Sequence, residues 1–333
     1  MIEPGEQSAH SLLEIRDLSV TYRTGGGDLP AVRSVNLTVA KGESVGIAGE
    51  SGCGKSTLAS TVLRLQPKTA TVTGTVLVDG KDVQTMRWGQ LRALRWAEAS
   101  IVFQGALHSL NPVQKVGDQI AEPIRLHDSS LGKAAATARV GELLEQVGLP
   151  AARGRAYPHQ LSGGQKQRVM IAMALACKPK LIVADEPTTA LDVMVQAQVL
   201  DVLSGLVRDL GLGLMMISHD LSVLGTTCDR VVVMYAGRVV EEGPAGQVFE
   251  TPLHPYSRSL AAAFPRVGDP KARFAPSGLP GDPPDPRELP TGCAFHPRCP
   301  DAIVQCASTD PATVLVEPGR PVACLRVHEG SRR

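Results

Sequence analysis

Ser44-Val45-Gly46-Ile47-Ala48 followed by Gly49-Glu50-Ser51-Gly52-Cys53-Gly54-Lys55-Ser56-Thr57 is the stretch whose reading decides the fold. Ser44 to Ala48 is a short apolar run led into by Lys41-Gly42 and reads as a strand. Gly49 to Ser56 fits the spacing G-x-x-x-x-G-K-[ST], and from Lys55 to Leu65 the pattern turns helical. Strand, glycine loop and helix therefore follow in order, the context in which this spacing binds phosphate. Gly49, Gly52 and Gly54 let backbone N–H groups close around phosphate oxygens, and the helix N-terminus adds the positive end of its dipole. Lys55 then reaches the β- and γ-phosphates and the Ser56 hydroxyl ligates Mg²⁺. The alternative is a glycine-rich turn with an incidental lysine, and the strand and helix on either side argue against it.

Outward from this loop, Leu12 to Tyr22, Ser34 to Val39 and Val72 to Val78 carry strand patterns, the last ended by the turn pair Asp79-Gly80. Between about Val113 and Ala176 the signals are helical. Val140, Leu143, Leu144 and Val147 recur at i, i+3, i+4, i+7, and Gly148 and Pro150 stop that helix. Strand and helix then alternate: Leu181 to Ala184, Met194 to Leu210, Leu214 to Ser218, Arg230 to Tyr235. That order favours a parallel sheet flanked by helices, interrupted by a helical lobe. Beyond Pro265 the composition changes, with 13 of the 25 prolines in the last 69 residues. Regular helix or sheet is not expected to hold that part, and Pro276 to Pro290 reads as a semi-rigid connector.

With 333 residues the chain has room for one large domain and an appendage. Its 34 Lys plus Arg nearly balance 33 Asp plus Glu, so there is no strong field for nucleic acid or an anionic membrane. Apolar runs such as Leu181 to Ala184 are strand-sized, well short of the roughly 20 residues a spanning helix needs. The start, Met1 to Glu6, lacks the basic and apolar runs of a secretory signal, so a cytoplasmic location is expected. In that reducing compartment the seven cysteines read as thiols or metal ligands.

Asp185 and Glu186 close the apolar run from Leu181, at the strand end where ligands of open α/β sheets collect. Asp185 suits Mg²⁺, and Glu186 could take the proton from an attacking water. A solvated acidic strand end is the other reading; the phosphate loop disfavours it.

Leu161-Ser162-Gly163-Gly164-Gln165 stands between that loop and the acidic strand, and there the chain resembles the ABC ATPases. The same five residues also read as a helix start, Ser162 and Gln165 having capping-box spacing. The resemblance runs in order over about residues 12 to 250 and implies a P-loop α/β fold. That fold has a mostly parallel sheet, an inserted helical subdomain at about 113–176 and an antiparallel β subdomain. It implies ATP and Mg²⁺ as ligands, with Ser51, Gly52, Cys53, Gly54, Lys55, Ser56 and Thr57 around the phosphates and Tyr22 stacked on adenine. Ser56, Gln104 and Asp185 would serve Mg²⁺; Glu186, His219 and Gln104 would be the catalytic residues. Ser162, Gly163, Gly164, Gln165 and Asp192 would face the nucleotide of a second ATPase subunit.

Val102-Phe103-Gln104-Gly105-Ala106, Ser109-Leu110-Asn111-Pro112, Tyr157-Pro158-His159-Gln160 and His254-Pro255-Tyr256-Ser257 are similar to the dipeptide and oligopeptide importer ATPases. This implies a motor on the cytoplasmic face of the cell membrane, held there peripherally. Its partners would be a related ATPase subunit, two membrane permeases and, indirectly, an extracytoplasmic substrate-binding protein, with no nucleic acid. Nickel or another small solute is an alternative cargo. A soluble ABC ATPase of DNA repair or translation is the alternative class, but such proteins usually carry a second cassette or a long coiled coil, and this chain has one cassette and no heptad run.

The tail, 251–333, holds Cys293, Cys299, Cys306 and Cys324 at C-x5-C-x6-C-x17-C. Four soft ligands could replace a core, since metal binding supplies roughly 10 kcal/mol or more of folding energy in zinc peptides. The spacing lacks the C-x2-C pairs of zinc ribbons. Similar importer ATPases hold a 4Fe-4S cluster in such a tail, which implies a cluster-bearing module over 293–324; zinc and free thiols remain as alternatives. His296 reads as a loop residue that could also ligate zinc. Cys53, Cys177 and Cys228 read as small buried or loop residues.

Overall fold

The computed structural model describes residues 11–105, 109–189, 191–263 and 279–330. Met1 to Glu6, Ala106, Pro265 and residues 276–278, which enter the sequence analysis, lie outside them. Strands β1 (Ser11–Thr24), β2 (Gly27–Ala40) and β3 (Ser44–Ala48) lead into α1 (Lys55–Val62). Then come β4 (Ala70–Val78), β5 (Lys81–Asp82), α2 (Trp88–Leu94), β6 (Ala99–Val102), α3 (Val116–His127), α4 (Lys133–Gln146) and α5 (Gly163–Ala174). The chain continues through β7 (Leu181–Asp185), α6 (Val193–Leu210), β8 (Gly213–Ile217), α7 (Leu221–Thr227), β9 (Arg230–Tyr235) and β10 (Arg238–Pro244). It closes with α8 (Ala245–Glu250), α9 (Pro255–Ala263), β11 (Val314–Glu317), β12 (Arg320–Val322) and α10 (Leu325–Gly330). Among the described residues no helix is long and apolar enough to cross a membrane.

Two compact units form. Of the described residues, the first gathers those within Met1–Glu14, Leu37–Glu43 and Val76–Met215; the second gathers those within Ile15–Asn36, Ser44–Thr75 and Met216–Arg333.

In the first unit β6 and β7 run parallel, Ala99 opposite Leu181 and Val102 opposite Ala184. All five residues of β7 are buried, as a parallel strand covered on both faces requires. Helices α3, α4 and α5 occupy the region expected to be helical. In α4 the periodic residues Val140, Leu143 and Leu144 are buried, as is Val147 just beyond its end. Each such residue contributes about 1.5–3 kcal/mol. Gly148 at φ 71 ends the helix, and the N–H of Leu149 returns to the carbonyl of Leu144 at 2.8 Å.

In the second unit β3 runs parallel to β9, with Val45 opposite Arg230 and Ala48 opposite Val233. Asp229 sets that register: its Oδ2 accepts from the Ser44 N–H at 2.8 Å and from Ser44 Oγ at 2.6 Å. β10 folds back antiparallel on β9 through Ala236 and Gly237, both at positive φ. The order here is β11-β12-β10-β9-β3.

The expectation of no regular structure beyond Pro265 is corrected. β11 pairs with β12, and β12 pairs with β10 at Glu241 opposite Val322. Pro318 falls between the strands, and β12 is three residues long, so Pro321 removes a single ladder donor. A partner strand supplied by distant sequence outweighs the local composition. The tail also shares an aromatic core with β9. Phe295 and Tyr256 are fully buried and meet Tyr235, with ring centroids 4.7–5.3 Å apart.

Candidate nucleotide-binding and catalytic site

The phosphate loop leaves β3 and enters α1 entirely within the second unit. Gly49 takes φ 149, and a Cβ there would overlap the carbonyl of Met234 and the thiol of Cys53. Gly54, at φ 102, leaves no space between its Cα and the carbonyl of Ala31. The expected glycines are therefore required by conformation and by close approach of neighbouring backbone. Lys55 is buried, with Nζ donating to the carbonyls of Gly49 at 2.7 Å and Glu50 at 2.8 Å. Its ammonium is thus folded back onto the loop's own backbone. Cys53 is buried as well, and burial pushes its thiol pKa up, so it packs as a small apolar side chain.

Ser51, Gly52 and Ser56 lie on the exposed side of the loop. Tyr22 donates from its hydroxyl to Thr57 Oγ1 at 3.3 Å, which puts its ring beside the first turn of α1. His219 is exposed one residue after Ser218, whose N–H donates to the carbonyl of Ile47 in β3 at 3.2 Å. The backbone leading to His219 therefore runs beside the strand that ends in the loop.

The first unit holds the carboxylates. Asp185 ends β7 and is buried; Glu186 follows at φ 46. A left-handed glutamate is uncommon and turns its side chain away from the direction the strand would give it. Gln104, past the end of β6, donates from Nε2 to Glu186 Oε2 at 2.7 Å, and Thr189 Oγ1 donates to the same oxygen at 2.8 Å. Glu186 and Gln104, 82 positions apart, thus meet as a pair.

The segment Leu161 to Gln165 opens α5 by the capping box that its spacing foretells. Ser162 Oγ accepts from the Gln165 N–H at 3.3 Å, and Gln165 Oε1 accepts from the Ser162 N–H at 3.1 Å. Gly163 begins the helix, while Gly164 is pressed against Val195 of α6 so closely that a Cβ would collide with it. Asp192 caps α6, its Oδ1 accepting from the Val195 N–H at 3.0 Å. Gly164 and Asp192 thus both bear on the first turn of α6.

Cys293, Cys299, Cys306 and Cys324 line one small pocket together with His296, Phe295 and Asp301. Gly292, at φ 67, brings Cys293 next to Cys306, whose carbonyl accepts from the Cys293 N–H at 2.8 Å. Burial raises the pKa values of Cys293, Cys299 and Cys324, that of Cys299 to about 11, and the neighbouring thiols add to the shift. As for the cluster expectation, among the described residues no group of three or more His, Cys, Asp or Glu is arranged to hold a metal ion. The four thiols share a pocket without converging into a coordination shell.

Two residues escaped the sequence reading. Tyr256 Oη accepts from the N–H of Glu50, in the phosphate loop, at 2.8 Å, and Arg298 grips the carboxylate of the same glutamate. His254-Pro255-Tyr256-Ser257 was a visible signal, but nothing in it indicates which part of the chain Tyr256 meets.

Comparison with known proteins gives the lineage. The ABC transporter family matches residues 32–189, and the C-terminal region of oligopeptide/dipeptide transporters matches residues 240–306. An oligopeptide transport ATP-binding protein of Salmonella typhimurium is 44% identical over 96% of this chain and 95% of its own length. A putative peptide import ATP-binding protein of Brucella abortus is 45% identical over 94% of each. Among solved structures, a dimeric bacterial ABC transporter cassette is similar at TM-score 0.64 and 29% identity, covering 70% of this chain and 98% of the cassette. The same cassette in a post-hydrolysis state bound to ADP and phosphate is similar to the same degree. The chain belongs to the ABC transporter family, in the branch that carries the oligopeptide/dipeptide transporter C-terminal region.

Proposed function

We propose that the chain is the ATP-hydrolysing motor of an importer for oligopeptides or dipeptides, coupling hydrolysis of MgATP to movement of solute through membrane permeases. The observation that carries this reading is a phosphate loop with Lys55 enclosed on its carbonyls, in a chain similar along nearly its full length to peptide-transport ATP-binding proteins. The cassette would span residues 12–250, with a helical subdomain at about 113–176, and the extension 251–333 would carry the cysteine module at 293–324.

Lys55 and the N–H groups from Gly49 to Thr57 would bind the phosphates, and Tyr22, beside α1, would offer its ring to adenine. Mg²⁺, when bound, would neutralise charge developing on the phosphoryl oxygens. Ser56, Asp185 and Gln104 would hold that ion. Glu186 would accept a proton from the attacking water, with Gln104 and Thr189 fixing its carboxylate, and His219 would contact the γ-phosphate. Ser162 to Gln165 and Asp192 would complete the nucleotide site of a second, related ATPase subunit, because a helix N-terminus is an anion site. Two permeases and an extracytoplasmic binding protein would complete the assembly, with this chain peripheral on the cytoplasmic face.

The four tail thiols, as thiolates, suit a 4Fe-4S cluster and, less specifically, zinc; their shared pocket supports the donor set. Such a centre would supply folding energy to the module. Iron and acid-labile sulfide assays on anaerobically purified protein decide between cluster, zinc and thiols.

The test of the main reading is ATP hydrolysis by the purified chain alone and with its co-expressed permease and ATPase partners. Strong stimulation by the partners is expected, with peptide uptake in vesicles. Robust turnover that ignores the partners would overturn it in favour of a soluble ATPase. Stimulated turnover with uptake of nickel or another solute, and no peptide uptake, would change the cargo alone.

A further inference from the structure

Glu50 is a side-chain handle on a loop otherwise shaped by glycines and backbone, and the tail takes hold of it. Arg298 donates from Nη1 to Glu50 Oε2 at 2.7 Å and from Nη2 to Oε1 at 2.9 Å, with 8% of its side chain exposed. Its Nε donates to the Pro280 carbonyl at 2.9 Å, and Nη1 also reaches the Tyr235 hydroxyl at 3.3 Å. A forked pair of this kind fixes both the position and the plane of a carboxylate. Enclosure separates it from the exposed ion pairs that contribute little.

The backbone of Glu50 is held on both sides. Its N–H donates to Tyr256 Oη at 2.8 Å, and its carbonyl accepts from Lys55 Nζ at 2.8 Å. Side chain, N–H and carbonyl of one residue thus link Arg298 to the lysine of the phosphate loop.

We propose that Arg298 is a positioning residue for the nucleotide site. Through Glu50 it holds the carbonyl against which Lys55 rests, and so sets the loop geometry that receives MgATP; this rests on the ATP-binding reading above. Arg298 stands between Cys293 and Cys299 in the chain, so the pair with Glu50 joins the cysteine segment to the phosphate loop.

The test titrates the purified full-length chain with a fluorescent MgATP analogue and follows thermal unfolding in parallel. Arg298→Ala should weaken nucleotide affinity about tenfold, as small misplacements at a site do. Arg298→Lys should fail to restore it, because an ammonium cannot make the fork. Arg258→Ala, which removes an exposed 2.9 Å pair to Asp301 in the same module, should leave affinity at the wild-type value. Glu50→Ala should match Arg298→Ala, and the double variant should lose no more than either. Wild-type affinity in Arg298→Ala, whatever its melting temperature, overturns the proposal, as do losses that add in the double variant. If Arg298→Ala does not fold, Glu50→Ala carries the test, and wild-type affinity there overturns it equally. A wild-type chain that binds the analogue no better than Lys55→Ala overturns this proposal and the ATP-binding reading together.

Discussion

Gln104 donates from Nε2 to Glu186 Oε2 at 2.7 Å, and Glu186 receives it from a left-handed backbone at φ 46. Residues in such sparsely populated conformations cost about 1–3 kcal/mol and persist where their surroundings over-determine them. Here the buried strand β7 fixes Glu186 from one side, and Gln104 and Thr189 fix its carboxylate from the other. An orientation held this way suits a proton acceptor that must meet one particular water.

Glu186→Gln keeps the shape and both hydrogen-bonding neighbours but removes the base. Nucleotide affinity should stay near the wild-type value, while phosphate release in the assembled transporter should fall by about 10²–10⁴-fold. Turnover within a factor of two of wild type would remove Glu186 from the proton-transfer role.

Gly54 has no room for a side chain beside the Ala31 carbonyl and sits at φ 102. Gly54→Ala should therefore lower stability by about 1–3 kcal/mol in urea denaturation and abolish binding of a fluorescent MgATP analogue. Unimpaired binding would mean that the loop tolerates another path.

Glu241 and Arg320 form an ion pair in which both side chains are buried, 0% and 3% exposed, at 2.9 Å. Glu241 also accepts from the N–H groups of Leu253 and His254, so its carboxylate ties the tail to β10 and to the entrance of α9. Removing one partner, as in Arg320→Ala, should cost about 3–5 kcal/mol of unfolding free energy. Glu142→Ala, which breaks the pair of a 62% exposed glutamate with Arg139, should change it by no more than about 0.5 kcal/mol. Equal effects of the two variants would contradict this contrast.

His254 is buried, and its Nδ1 accepts from the Tyr256 N–H at 3.0 Å. Burial holds its pKa down, from the usual 6.5 to about 3. Between those values the unfolded chain binds a proton that the folded chain does not. The stability His254 contributes is therefore complete above about pH 6.5 and is lost as pH falls toward 3, by about 1.4 kcal/mol per pH unit. Urea denaturation from pH 7 to 4.5 should show a shallower decline in His254→Gln than in the wild type. Identical slopes would mean that His254 does not drive the loss.

Much of the site was legible because its parts are local. Gly49 to Thr57, the capping box of Ser162 and Gln165, and Asp185-Glu186 after a buried strand are each set by neighbours in the chain, so spacing alone carries them. The stripe Val140, Leu143, Leu144 and Val147 was legible for the same reason: a helix turns near neighbours onto one face.

What the tertiary structure decided is the tail. Its proline content argued against sheet, yet Val322 pairs with Glu241, and Arg298 meets Glu50 from 248 positions away. The core of Tyr235, Tyr256 and Phe295, and the single pocket lined by four cysteines, arise the same way. By itself the sequence determined most elements up to β10 and the order of strand, glycine loop and helix, because backbone propensity and helical or strand periodicity act over a few residues. Which distant residues buried one another was decided only on folding, since the energy of packing and of buried ion pairs depends on partners that no local spacing specifies.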